Sequence, residues 1–272
     1  MSALRVVLGL VAGMALGGSV ELSGQTSGPS GRLTPSAVDV SDSLLFAGEL
    51  RRSYEVLDAR LEFEPADSAA GWRAVRAALG LGILGEDHET RLAWLRLADE
   101  RGRRLLDHHP AQVDALAWAA AARGRRALAE DGARTLANLA DEVIQLTDRA
   151  LEQDPDHALA NHVRGKIHQE GMRLPGMVRF MGRLLLGAEV LSMTSWEEAE
   201  ARGRTAVEQA PGMLLFHLDL AETYRYQEKW EAAEAAYREG LARPDSLPVD
   251  VEFRRIMEER LAEVQAERDQ GR

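Results

Sequence analysis

Prolines set the period of this chain. Four of them follow helix-forming segments: RLEFEP at Pro65, RLLDHHP at Pro110, RALEQDP at Pro155 and TAVEQAP at Pro211, at spacings of 45, 45 and 56 residues. A proline ring clashes with the preceding turn, removes a donor and pushes the residue before it out of the helical region. Each mark therefore closes one helix and opens the next unit. Between the marks the chain is rich in Ala, Leu, Glu and Arg, with long 3.6-residue periodicity and no strand-like alternation. The expected fold is all-α, an α-solenoid of antiparallel helix pairs over about 37–64, 67–108, 112–154, 157–210 and 213–243, with a last helix from about 249 to 269. That helix carries Val251, Phe253, Ile256, Met257, Leu261 and Val264 at helical spacing and would cap the open end of the array. Residues 171–193 lengthen the fourth unit.

Composition narrows the function classes. With 44 acidic residues against 33 basic ones in 272, the net charge of −11 repels phosphate backbones and argues against general nucleic-acid binding. The absence of cysteine excludes disulfides, thiolate metal sites and lipid attachment to an N-terminal cysteine.

The N-terminus reads as an address. Arg5 precedes an uncharged Val, Leu, Gly and Ala-rich stretch over 6–20 that stops at Glu21, short of the roughly 20 apolar residues a spanning helix needs. Residues 1–24 are expected to be a secretory signal peptide or, alternatively, an uncleaved anchor. Residues 25–36, rich in Gly, Ser, Thr and Pro, form a flexible linker into a repeat domain over 37–270. The expected location is the periplasm or cell envelope.

Within the units a bulky residue recurs three positions before a small one: Leu50 and Ser53, Trp196 and Ala199, Trp230 and Ala233. The large side chain fills the gap between two crossing helices where the small one lets the backbones approach. This pattern, with Ala150-Leu151 and Pro155 and with Leu220, Ala221, Tyr224 and Tyr237, resembles the tetratricopeptide repeat (TPR), whose turn is written G-x-Y-x-x-A and whose second helix ends A-L-x-x-x-P. The 45-residue period exceeds that family's 34 and overlaps HEAT and armadillo lengths. The motif positions select TPR-like units with lengthened helices.

A narrower resemblance lies in residues 157–242. Asn161 to His168 (NHVRGKIH), an Arg-bearing apolar helix ending Leu185-Leu186-Gly187, and Ser195-Trp196-Glu197-Glu198-Ala199 follow one another as in the regulator of microtubule dynamics family. The sequence departs from that family at Ile167, where an aromatic is usual, and at 188–193, where a proline-rich link is usual. The resemblance implies a TPR-like fold and either microtubule association or a membrane-contact and lipid-binding role. The microtubule role does not carry over to a chain with a bacterial-looking export signal.

Several motifs read as structural. Gly80, Gly82 and Gly85 match G-x-G-x-x-G, but an Ala-rich helix precedes them in place of a strand, and Glu86-Asp87 would sit where phosphate belongs. They mark a loosened helix end and a turn. No HExxH occurs; His108 and His109 suit a helix C-terminus, and His162 and His168, six apart, point about 120° from alignment. Glu197 and Glu198 suit a helix N-terminus. No nucleophile elbow is present. No cofactor, metal or catalytic residue is expected.

Two binding surfaces are expected. In TPR arrays the first helices line the concave face, and repeat register places His162, Lys166, Gln169 and Glu170, then Leu218, Glu222, Arg225 and Tyr226, toward a protein or peptide partner. In residues 174–186, Met177, Phe180 and Met181 cover a helix that leaves Arg179 and Arg183 as a basic stripe. That helix is either core or a cover over a lipid, small apolar ligand or membrane surface. The sequence thus predicts a non-enzymatic envelope adaptor, with a lipid or apolar-ligand carrier as the alternative.

Overall fold

The computed structural model describes residues 35–179, 182 and 190–270. The segment 1–34, read above as signal peptide and linker, lies outside them. The described residues contain no strand; their helices with described bounds are α1 (Ala37–Phe46), α2 (Leu50–Phe63), α3 (Ser68–Ile83), α4 (His88–His108), α5 (Val113–Ala129), α6 (Ala133–Gln153), α7 (Ala158–Arg173), α8 (Val190–Met193), α9 (Trp196–Gln209), α10 (Leu214–Tyr226), α11 (Trp230–Leu241) and α12 (Asp250–Gln270), and residues 176–179 and 182 are helical as well.

The four prolines act as their chemistry dictates. Glu64, His109, Asp154 and Ala210, each just before its proline, adopt φ between −130° and −137° and ψ between 61° and 91°. The chain then turns tightly, with the amides of Asp67, Gln112, His157 and Met213 donating to the carbonyls of those same four residues at 3.0–3.3 Å. The next helix begins at once. Asp67 and His157 cap α3 and α7 by accepting from Ala70 N and Ala160 N, which satisfies one of the orphan donors at each helix start.

The pairs α1/α2, α3/α4, α5/α6, α7/α9 and α10/α11 stack so that the first helices α1, α3, α5, α7 and α10 contact in succession. This is the TPR-like α-solenoid. Ser53, Ala199 and Ala233 are all buried, as the large-then-small spacing requires. At Gly165 of α7 an added Cβ would lie 3.1 Å from Arg202 Cβ and 3.3 Å from the Ala199 carbonyl of α9, so the close crossing of these two helices is built on the absence of a side chain.

One apolar core runs from Leu45 of α1 to Val264 of α12, with a satellite of Ala137, Ala140, Ile144, Ile167 and Leu191 under α8. Aromatic stacking joins successive first helices: Trp72 and Trp118 lie 5.7 Å apart between α3 and α5, and His162 and Phe216 4.5 Å apart between α7 and α10. Helix α12 packs on α10 and α11 through Phe253, Ile256, Met257 and Val264. Val251, assigned to that apolar face from the sequence, is instead 65% exposed. Val249 and Asp250 just before it are buried, so the start of α12 already rests on the array; two residues, about 200° of helical turn, separate Val251 from Phe253 and put it on the outer face.

Candidate functional site

The first helices of the last two units meet along a buried polar seam. Asp219 of α10 accepts from Lys166 Nζ on Oδ1 at 2.8 Å and faces His162 Nε2 through Oδ2 at 2.8 Å. Gln169 Nε2 donates to the Asp219 carbonyl at 3.0 Å and to Thr223 Oγ1 at 2.9 Å. Lys166 also pairs with Glu170, which in turn binds Arg173. Burial opposes ionisation of Asp219, but Lys166 and His162 outweigh it and hold its carboxyl below the usual range. Burial likewise opposes a charged Lys166, and Asp219 and Glu170 reverse the balance and raise it. Burial lowers His162 despite Asp219, so the ring is neutral, with its proton on Nε2 facing the carboxylate and a lone pair on Nδ1.

A second cluster adjoins it. Glu222 takes the Nε and Nη2 fork of Arg225 at 3.0 and 2.7 Å and accepts from the Tyr237 hydroxyl. Burial and the neighbouring Glu222 push the Tyr237 phenol far up. The Tyr226 ring lies between the guanidinium groups of Arg173 and Arg225, 4.1 and 4.5 Å from its centre. Seven of the eight positions expected to face a partner thus come together, His162, Gln169 and Glu222 buried and Lys166, Glu170, Arg225 and Tyr226 half-buried, while Leu218 is buried in the apolar core. Their polar groups pair largely with one another. Repeat register located them but could not supply Asp219 or Thr223, which complete the seam from 50 to 57 residues away.

Beside the seam lies a cavity of about 150 Å³. Its wall is drawn from α3 (Leu79), α5 (Trp118, Ala121, Leu128), α6 (Leu136, Val143), α7 (Val163, Ile167), Leu174 and Leu191, and is almost wholly carbon. The polar exceptions are Arg125, His162, Lys166, Glu170 and Thr194. Lys166 and Glu170 are paired, whereas His162 Nδ1 and the Nε and Nη2 atoms of Arg125 are sealed from solvent with no hydrogen-bond partner. Arg125 carried no sequence signal beyond its place in the run Arg123-Gly124-Arg125-Arg126 of an Ala-rich helix.

The residues of the apolar-ligand alternative divide. Met177 is 73% exposed and Arg179 half-buried, while Phe180, Met181 and Arg183 lie outside the described residues. The core reading therefore fails for Met177 and also for Val178, which is exposed: Met177 and Val178 turn their apolar side chains outward. Gly80 and Gly82 fall in the last turn of α3, and Asp87 caps α4 by accepting from Thr90 N. His109 Nε2 lies 2.8 Å from the Ala66 carbonyl, and His168 Nδ1 accepts from Ser195 N. Among the described residues no group of three or more His, Asp or Glu could hold a metal ion, and no helix is long and apolar enough to cross a membrane.

Comparison with known proteins places the architecture. The crystal structure of a thermophilic TPR protein from Thermus thermophilus superposes with a TM-score of 0.57 at 17% identity, covering 85% of this chain and 97% of that one. A tetratricopeptide repeat protein from Parabacteroides merdae is more distant, with a TM-score of 0.34 at 16% identity over 86% of this chain and 91% of that one. The human IFIT1 dimer with PPP-AAAA reaches 0.39 at 18% identity over 72% and 47%. No curated protein matches in sequence. The model of the family described as regulator of microtubule dynamics protein 1-3 matches residues 38–265, nearly the whole repeat array, and the chain belongs to that family.

Proposed function

We propose that this protein acts by binding rather than by chemistry, and that its ligand is a small apolar molecule held between α5, α6 and α7. The cavity carries this reading. Its wall is nearly all carbon, its volume is about 150 Å³, and cavities of that size lined by Leu, Ile and Phe take up small apolar molecules such as benzene. The seam residues suit a framework role, because their charges are consumed in pairs with one another. Export to the cell envelope, read from residues 6–20, would fit a carrier that meets its ligand outside the cytoplasm.

The test is uptake of the fluorescent probe N-phenyl-1-naphthylamine. Wild type is expected to enhance its emission, and Ala121→Trp, which fills the cavity, is expected to abolish the enhancement with unchanged circular dichroism. Equal emission from both proteins would place the probe elsewhere and defeat the reading.

The fold itself favours a second reading, an adaptor for a protein segment, since stacked helix pairs build extended recognition surfaces. The outward Met177 and Val178 and the exposed Met193 would then be the contact. Native mass spectrometry of protein taken from the envelope separates the two: a co-purified polypeptide supports the adaptor, and a mass excess of a few hundred daltons supports the carrier.

A further inference from the structure

We infer that the cavity takes an apolar monocarboxylic acid, with the side-on edge of Arg125 gripping the carboxylate and the hydrocarbon lying along the α5–α7 wall. The inference rests on the apolar-ligand reading and adds the ligand's head group.

Arg125 differs from the other arginines with sealed, unpartnered nitrogens. Arg76 pairs with Asp42, Arg164 with Asp148, Arg243 with Glu239 and Arg268 with Glu234. Among the described residues, no carboxylate lies within ion-pair distance of Arg125. The atoms left over are Nε and Nη2, the parallel pair of donors that matches both oxygens of a carboxylate. The same edge does this work elsewhere in the molecule: Arg96 holds Glu130 with Nε and Nη2, both at 2.9 Å, and Arg225 holds Glu222.

The charge count points the same way. Asp219 and Glu170 are close enough to Arg125 to favour its charged form, yet burial lowers it to about 9, still cationic at neutral pH. Both acids are already engaged, Asp219 by Lys166 and Glu170 by Lys166 and Arg173, so one positive charge is left for the ligand. A carboxylate brings one negative charge to match it. A phosphate monoester, with about −1.5 to −2, would leave charge uncompensated in an apolar chamber.

The experiment is calorimetric titration of the folded full chain with octanoate and with 1-octanol, its neutral counterpart. Wild type is expected to bind octanoate at least ten-fold more tightly than octanol. In Arg125→Met the octanoate affinity is expected to fall at least ten-fold, with octanol unchanged or tighter. Octanol binding as well as octanoate in wild type, or a variant that keeps the preference for the acid, would overturn the carboxylate grip and leave the apolar cavity standing. Failure of both probes to bind wild type would overturn the two readings together.

Discussion

His162 and Asp219 meet across the interface of α7 and α10, ring Nε2 to carboxylate Oδ2 at 2.8 Å, although 57 residues separate them along the chain. The same carboxylate holds Lys166. Asp219→Ala would strand a buried ammonium and an imidazole proton, and breaking a buried pair from one side costs about 3–5 kcal/mol. Urea unfolding should show that loss, with a smaller one for Asp219→Asn. A loss below about 1 kcal/mol would mean that Lys166 behaves as an exposed charge.

Stability should fall on mild acidification, before carboxylates titrate. His162, His168 and His217 are all buried, and burial lowers each. Below the unfolded value of about 6.5 the unfolded chain takes up protons that the folded chain refuses, so stability drops as pH falls, by up to about 1.4 kcal/mol per pH unit for each histidine. Asp219, held low in the fold, adds its loss only further down, below its unfolded value of about 3.9. Urea midpoints measured from pH 7.5 to 5 check the slope, and a flat profile would contradict neutral buried rings.

The turn between α10 and α11 holds Glu228 at φ 58°, where the matching turn between α1 and α2 has Gly48 at φ 82°. A side chain in the left-handed region costs about 1–2 kcal/mol, and glycine avoids most of that. Glu228→Gly should therefore raise stability by about 0.5–1 kcal/mol, visible as a higher thermal midpoint. A decrease would show that the Glu228 side chain contributes more than its backbone costs.

On α12, Phe253 is fully buried and Val251 is mostly exposed. Phe253→Ala should cost about 3–5 kcal/mol, whereas Val251→Ser should change stability by less than about 0.5 kcal/mol. Chemical denaturation of the two variants side by side tests whether α12 is a structural cap. Similar small losses from both would make it a loosely attached helix.

The architecture was legible because its signals are local. Pro65, Pro110, Pro155 and Pro211 dictate the conformation of the residue before each of them, and the helix pairs begin and end within a few residues of where those prolines put them. That His162 and Lys166 share a face of α7 was legible too, by helical spacing alone, and both reach Asp219. What the sequence withheld depends on partners brought together by stacking. Asp219 and Thr223 looked like ordinary residues of an amphipathic helix until α7 lay against them. Arg125 was one arginine among three, and only packing distinguishes it: Arg123 and Arg126 reach Asp99, while Arg125 lies against the cavity. Val251 was misassigned because its apolar side chain was followed rather than its angle: two residues, about 200° of helical turn, separate it from Phe253, while Val249 and Asp250 show that the array reaches the start of α12.

Repeat arrays ordinarily lend themselves to piecewise melting, each unit holding only to the next. The carboxylate of Asp219 works against that at the C-terminal end. It belongs to the fifth unit, yet it secures His162 and Lys166 on the helix that forms one wall of the cavity in the fourth. Fraying of α10 would therefore release the chamber wall, and a molecule seated in the chamber would resist that fraying. Occupancy and end-unit integrity become one equilibrium, so a ligand should slow amide exchange in α10 and α11, helices among whose residues none lines the chamber.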